Sequence, residues 1–204
     1  MKIVNSVVFI VSTLLLLAGC NNAGSSGKVE SPTVKNADNS KDSIALTKLV
    51  RQMYEWHEKI DHPLDFDVET NKPSDTLYSG INWDAYNKLL NTIVKSNYFD
   101  QQFITNYAAI ATHIDSELQN GIKTWQVGEL SPFGDDTNPW CNCQDTPQDN
   151  FWDILRITDL KIINDQATFS WTWGGGFMYK VKASGNNGIW KISYLEGFDP
   201  KNYK

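Results

Sequence analysis

Positive charge is scarce in this sequence: 18 Lys and Arg residues stand against 24 Asp and Glu residues, a formal net charge of −6. Nucleic acids and anionic lipid surfaces are bound mainly through basic patches, because each phosphate must be met by a positive group. The composition therefore argues against nucleic acid as a partner and against docking on anionic lipid. Neutral, cationic or protein partners are expected.

Catalytic and metal-binding signatures are also missing. The sequence contains no phosphate-cradling glycine loop, nucleophile elbow or zinc-protease helix. The Asp- and Asn-rich stretch 135–149 lacks the register of a calcium loop. A zinc site at Cys141 and Cys143 would need two further ligands from among His57, His62 and His113. Paired zinc thiolates are typically separated by about two to four residues, not by one. We therefore predict no metal, no cofactor and no assigned catalytic residue, and an enzyme is the less favoured class.

Only one long apolar run is present, from Val7 to Leu17, and it follows the positive charge of Lys2. A bilayer-spanning helix needs about 20 apolar residues, so this run is too short to be a permanent span. A short apolar run with a basic start is typical of a secretion signal. No later segment is apolar enough to cross a membrane.

The end of this run, Leu17-Ala18-Gly19-Cys20, resembles the bacterial lipobox at all four positions. The resemblance implies cleavage before Cys20 and attachment of acyl chains to its thiol, which anchor the chain to a membrane. The alternative is an ordinary cleaved signal followed by an incidental cysteine. In a Gram-negative host, an Asp directly after the acylated cysteine favours retention in the inner membrane. This chain has Asn21 at that position, which permits transport to the outer membrane. We expect a lipid-anchored protein of the cell envelope, on the periplasmic side of the outer membrane if the host is Gram-negative.

Composition divides the chain into three parts. Residues 1–19 are the predicted signal peptide. Residues 20–42 are rich in Asn, Ser, Gly and Lys and bury too little apolar surface to fold, so they are predicted to be a flexible tether. Residues 43–204 carry all the tryptophans and are predicted to form a single domain.

The hydrophobic period changes once within that domain. A spacing of three and four predicts three helices: Ser43–Ile60, Trp83–Lys95 and a helix capped by Asp100 and running through Leu118. After an irregular stretch, a period of two predicts four strands: Ile154–Ile163, Ala167–Trp173, Phe177–Ala183 and Ile189–Leu195. The fold class expected is α+β, with three N-terminal helices packed on a four-stranded, curved antiparallel sheet.

Two clusters leave alternatives open at this point. Trp171, Trp173, Phe177 and Tyr179 flank three glycines; they form either an exposed aromatic rim for a sugar or a partner protein, or part of the core. Cys141 and Cys143 form a disulfide, remain free thiols, or bind metal.

The order of several motifs resembles bacterial lipoproteins with a small domain of unknown function. These motifs are Met53-Tyr54-Glu55-Trp56-His57, Ser96-Asn97-Tyr98-Phe99, the Asp-rich loop reaching Asp145, and Gly188-Ile189-Trp190-Lys191-Ile192 followed by Tyr194. The domain looks like the nuclear-transport-factor-like or SnoaL-type (cystatin-like) cone. This resemblance covers roughly residues 45–200. It implies a curved sheet wrapped around a long helix with a cavity at the open end, but no particular activity, since the scaffold hosts enzymes and binding modules alike.

A pocket follows as a hypothesis from that cone. His57 lies on the apolar side of the first helix and would face the cavity beside Tyr54, with Asp145 as the carboxylate that such scaffolds usually pair with histidine. The alternative is a histidine packed in the core. The function expected is a lipid-anchored binding module that engages an envelope protein or a wall component. A hydrolase or isomerase using the cavity, or an immunity or inhibitor lipoprotein, is the alternative.

Acylation of Cys20 gives the first prediction. Cys20→Ser is expected to abolish incorporation of labelled palmitate and to move the chain from the membrane fraction to the aqueous fraction, because the serine hydroxyl does not accept the diacylglycerol. The unaltered chain is the control. Absence of label from that unaltered chain would contradict the anchor.

Overall fold

The computed structural model describes residues 35–36, 41–60 and 64–204. The predicted signal peptide, Cys20 and most of the predicted tether lie outside these residues. The helices are α1 (Lys41–Lys59), α2 (Trp83–Ser96) and α3 (Gln101–Gln119). The strands are β1 (Lys35–Asn36), β2 (Val68–Glu69), β3 (Gly80–Ile81), β4 (Arg156–Ile163), β5 (Gln166–Thr172), β6 (Tyr179–Asn186) and β7 (Ile189–Leu195). The α+β class is confirmed. In this described part of the chain, no helix has the length and apolarity to span a bilayer.

The main sheet is antiparallel throughout, in the order β1-β4-β5-β6-β7, and β2 and β3 form a separate two-stranded ribbon. The four predicted strands are present: β7 has the predicted bounds, and the other three are shifted at one or both ends. Two differences concern the start of the folded part. Strand β1, within the predicted tether, pairs with β4 through Lys35 and Ile162, and α1 begins at Lys41 rather than at Ser43.

The two faces of the sheet differ in character, as the alternation of the strands predicted. Across β5 and β6, Trp171 pairs with Tyr179 and Phe169 pairs with Val181, and these four side chains belong to the core. On the opposite face, Thr168 pairs with Lys182. Successive residues of a strand point to opposite faces, so a single register fixes both surfaces.

The helices bury one apolar stripe each, at the three-and-four spacing that the sequence shows. The buried residues of α1 are Leu46, Val50, Met53, Tyr54 and His57, and those of α3 are Phe103, Tyr107, Ile110, Ala111, Ile114 and Leu118. Helix α1 is also held by Arg51, whose Nε and one terminal nitrogen donate to the Leu155 carbonyl at 2.9 and 2.6 Å. This contact ties α1 to the chain just before β4.

The segment between α2 and α3 adds to the edge of the sheet. The amide of Asp100 donates to the Ile192 carbonyl at 2.9 Å, and the amide of Ile192 donates to the Tyr98 carbonyl at 2.8 Å. Asp100 Oδ1 then caps α3 by accepting from the amides of Gln102 and Phe103, while its Oδ2 accepts from Ser184 Oγ at 2.6 Å. One carboxylate therefore starts a helix and fastens it to β6.

Loss of this carboxylate gives the second prediction. Asp100→Ala is expected to lower the free energy of unfolding by about 2 kcal/mol, because it removes a helix cap and a charge-assisted hydrogen bond together. Urea denaturation measures the change. Ser184→Ala, which removes only the second interaction, is the matched control and is expected to cost less than half as much. Equal losses in the two variants would contradict the capping role.

Candidate functional site

A loop that contains a disulfide, residues 138–143, is inserted between the helices and the sheet. Cys141 and Cys143 are joined by a disulfide with their Cα atoms 5.1 Å apart. The loop is tightened by the Asn138 amide, which donates to the Cys143 carbonyl at 3.0 Å, and by the Asn142 amide, which donates to the Asn138 carbonyl at 2.7 Å. With both sulfurs joined in the disulfide, neither cysteine is a thiolate ligand. Within the described ranges, no group of three or more His, Cys, Asp or Glu side chains is arranged to hold a metal ion.

Trp140, at the tip of this loop, fills the interior of the domain. Its side chain is 3% exposed. The imidazole of His57 lies against the indole with ring centroids 4.0 Å apart, and the ring of Phe198 meets it edge-on at 5.0 Å. Further ring contacts come from Trp56, Phe99 and Phe103. Trp140 thus occupies the space between α1, α3 and the end of β7.

Buried hydroxyl groups satisfy the backbone of the inserted loop. The Tyr54 hydroxyl donates to the Trp140 carbonyl, and the Tyr179 hydroxyl donates to the Pro139 carbonyl at 2.7 Å while accepting from the Gly197 amide at 2.9 Å. A buried carbonyl left unpaired would cost about 1–3 kcal/mol. Burial raises the pKa of both phenols well above the ordinary value of 10.0. The indole N–H of Trp171 approaches the Tyr54 hydroxyl and moderates that pKa rise, without making a hydrogen bond of normal geometry.

The pocket predicted from the sequence is brought together only in part. Tyr54 and His57 are both buried and both contact Trp140: the Tyr54 hydroxyl donates to its carbonyl, and the His57 ring lies against its indole. Asp145 is exposed in the loop that follows the disulfide. The carboxylate that does reach this region is Asp65, whose Oδ2 accepts from Trp140 Nε1 at 3.0 Å and whose Oδ1 accepts from the Tyr107 hydroxyl at 3.0 Å.

The predicted aromatic rim requires a correction. Trp171 and Tyr179 are 0% exposed and belong to the core, so they are not part of a rim. Trp173 and Phe177 are half-buried and stack on each other with ring centroids 4.0 Å apart. Trp173 and Phe177 follow the Trp171–Tyr179 pair toward the glycine turn, where the core ends. This position explains why they are less buried than Trp171 and Tyr179.

An open cleft of about 400 Å³ lies on the outer side of the inserted loop. Pro139 and Asn142 of that loop form part of its wall. Its aromatic lining consists of Phe66, Trp125, Phe133 and Tyr203, and its carboxylates are those of Asp65, Glu129, Asp135 and Asp136. We call this concavity the acidic cleft. Of these carboxylates, Glu129, Asp135 and Asp136 are exposed to solvent.

The electrostatics of the acidic cleft favour positive charge. No Lys or Arg occurs among the described residues that line it. Burial raises the pKa of Tyr203, and the nearby carboxylates of Asp65 and Asp135 raise it further. At its border, the Lys123 ammonium already lies 4.6 Å from the centroid of Phe133. The cleft is thus lined by aromatic rings together with carboxylates, a combination that attracts a cation.

Sequence reasoning did not identify the acidic cleft. Trp125, Phe133 and Asp135 lie in the irregular middle of the chain, and Tyr203 lies at the C-terminal end. These segments are distant in sequence, and no hydrophobic period links them. The alternation of aromatic and acidic residues within 125–137 is the one signal that points to them.

Comparison with known proteins gives no further guide: no protein-family model, curated protein or solved structure matches the chain.

The buried tyrosines give the third prediction. Because burial raises the pKa of Tyr54 and Tyr179 in the folded state, their contribution to stability is complete below about pH 10, the pKa of an exposed phenol, and is lost as the pH rises further. The free energy of unfolding is expected to fall above that pH by about 1.4 kcal/mol per pH unit for each such tyrosine. In the double variant Tyr54→Phe/Tyr179→Phe, the free energy of unfolding should fall less steeply with pH, because the two phenols that cause this part of the loss are absent. Urea unfolding at a series of alkaline pH values tests this, and equal slopes in the two proteins would contradict it.

Proposed function

We propose that the chain is a lipid-anchored binding module of the cell envelope that takes a cationic ligand in the acidic cleft. Acylated Cys20 supplies the membrane anchor, as the lipobox resemblance implies. One observation carries the proposal for the site: aromatic side chains and carboxylates line one open cleft, and none of the described lining residues is basic. The ligand expected is an ammonium or guanidinium group on an apolar stem.

The chemistry of the lining residues supports this ligand class. A cation over an aromatic face gains about 0.5–2 kcal/mol, more as water is removed. The exposed carboxylates of Asp135 and Asp136 attract a positive group before contact and accept hydrogen bonds from it afterwards. An anionic ligand would be repelled by the same groups, and a neutral one would leave them unpaired.

The partner class follows from location and charge. A Lys or Arg side chain of an envelope protein meets these requirements, as does a wall component that bears an amine. An immunity or inhibitor lipoprotein would use the same chemistry, with a basic toxin or enzyme as its partner. A toxin gene beside this one in the genome would favour that version.

An enzyme acting through His57 is not part of the proposal. His57 is 6% exposed and Trp140 lies against its ring, so a substrate in this conformation has no access to the imidazole. The nuclear-transport-factor-like cone remains a proposal as well. It is supported by the sheet order β4-β5-β6-β7 and by the contacts of α1 and α3 with strands of that sheet. In such a cone, Trp140 would fill the mouth.

The acidic cleft gives the fourth prediction, with hexylammonium as the probe and hexanol as its neutral analogue. Hexylammonium is expected to change the tryptophan fluorescence of the full chain in detergent, because Trp125 lines the cleft, whereas hexanol at equal concentration is not. Asp135→Asn/Asp136→Asn should weaken hexylammonium binding by roughly tenfold, since each exposed charge contact contributes up to about 1 kcal/mol. Added salt should weaken binding to the unaltered chain in the same direction.

Asp145→Asn/Asp149→Asn is the matched control for this experiment. It removes the same amount of negative charge from exposed loop residues that do not line the cleft. Equal weakening by the two double variants would show a general charge effect and would contradict a site at the cleft. In detergent-solubilised envelopes, the unaltered chain and the control should both recover a partner in stoichiometric amount, and the Asp135/Asp136 variant should not.

A further inference from the structure

The face of the sheet that points away from the core carries an ordered row of polar side chains. Lys161 of β4 pairs with Thr168 of β5, Thr168 pairs with Lys182 of β6, and Lys182 pairs with Tyr194 of β7. Directly paired residues of antiparallel strands project on the same face. Lys161 and Lys182 therefore flank Thr168, two strand spacings or about 10 Å apart.

Two concavities, of about 360 and 490 Å³, lie along this row and share Lys182 and Tyr194. Around the first are Asp159, Ser170 and Lys180; around the second are Asp100, Gln102, Asn106, Gln166, Ser184 and Ser193. We call the two together the sheet groove. Hydroxyl, amide, carboxylate and ammonium groups all border it, so it presents donors and acceptors along its whole length.

Two of the three lysines of the sheet groove have a side-chain partner. The Lys182 ammonium lies 4.9 Å from the centroid of the Tyr194 ring, and the Tyr194 hydroxyl donates to Asp199 Oδ2 at 3.2 Å. Lys180 is engaged by Glu196 at 2.8 Å. The ion pairs of the described residues include neither Lys161 nor Lys182, and both side chains are exposed. These two ammonium groups are available to a ligand.

We propose that the sheet groove binds a glycan strand that bears carboxylates, with Lys161 and Lys182 meeting acid groups on successive disaccharide units. Hydroxyl groups of the sugar rings need mixed donors and acceptors, which Thr168, Gln166 and Asn106 supply. The spacing of the two lysines matches about one disaccharide. This ligand surface is separate from the acidic cleft, and its residues are not those of the proposed cation site.

An anionic lipid surface is the less favoured occupant of the same face. Such surfaces are bound by clusters of several Lys or Arg residues that project together. Of the lysines of the sheet groove, only Lys161 and Lys182 lie outside the ion pairs of the described residues, and they border recesses in the sheet face rather than a projecting basic segment. A strand that enters these recesses therefore meets both ammonium groups, whereas a flat lipid surface would not.

Retention of the full chain in detergent-containing gels tests the proposal, with polygalacturonate as the acidic glycan probe and dextran as the neutral one. Polygalacturonate is expected to retard the unaltered chain, and dextran is not. Lys161→Gln/Lys182→Gln should weaken retention by roughly tenfold, as two exposed charge contacts predict. Lys161→Arg/Lys182→Arg, which keeps the charge, should retain most of the binding.

Lys72→Gln/Lys88→Gln is the matched control, because it removes two exposed lysines elsewhere on the chain. Unchanged thermal unfolding shows that each variant is folded. Equal weakening by the two glutamine variants, or retardation of the unaltered chain by dextran as strong as that by polygalacturonate, would overturn the proposal. Stronger binding to phosphatidylglycerol vesicles than to polygalacturonate, lost in the Lys161/Lys182 variant, would overturn it in favour of the membrane.

Discussion

The hydrogen bonds from two buried tyrosine hydroxyls to the backbone of the 138–143 loop are the interaction on which the interior depends. Burying this loop between helices and a sheet would cost free energy if its backbone carbonyls had no hydrogen-bond donors. Tyr54 of α1 and Tyr179 of β6 remove that cost by donating to the carbonyls of Trp140 and Pro139. The indole of Trp140 is then free to act as the central apolar group, and α1, α3 and the end of β7 close around it.

The same loop builds the outer surface. Pro139 and Asn142 line the acidic cleft from behind, and a Cβ at Gly197 would overlap the Pro139 carbonyl oxygen, so the C-terminal segment approaches the loop closely only because residue 197 is glycine. The Tyr203 hydroxyl, which donates to the Gly197 carbonyl at 3.1 Å, holds that segment against the cleft. An interior filled by Trp140 and an acidic cleft on the outside are therefore two consequences of one inserted loop.

Periodicity in the sequence was sufficient for the elements but not for the site. The three-and-four spacing around Met53 and the alternation around Trp171 depend on local geometry, so α1 and β5 could be predicted, as could the polar face that carries Lys182. Trp140 lies in a stretch without any period, and nothing local distinguishes a buried indole there from an exposed one. Trp171 and Trp173 share one face by alternation, but their difference in burial depends on where the core ends. The acidic cleft joins Phe66, Trp125 and Tyr203 from segments far apart in the chain, which only tertiary packing brings together.

The central claim is that Trp140 fills the interior and that the ligand binds outside it. A crystal structure of the full chain with bound hexylammonium tests this most directly. The account predicts the ammonium group beside Asp135 and Asp136, its chain against Trp125 and Tyr203, and Trp140 unmoved against His57. Hexylammonium found next to His57, with the Trp140 indole displaced, would contradict the account and would place the functional site in the interior.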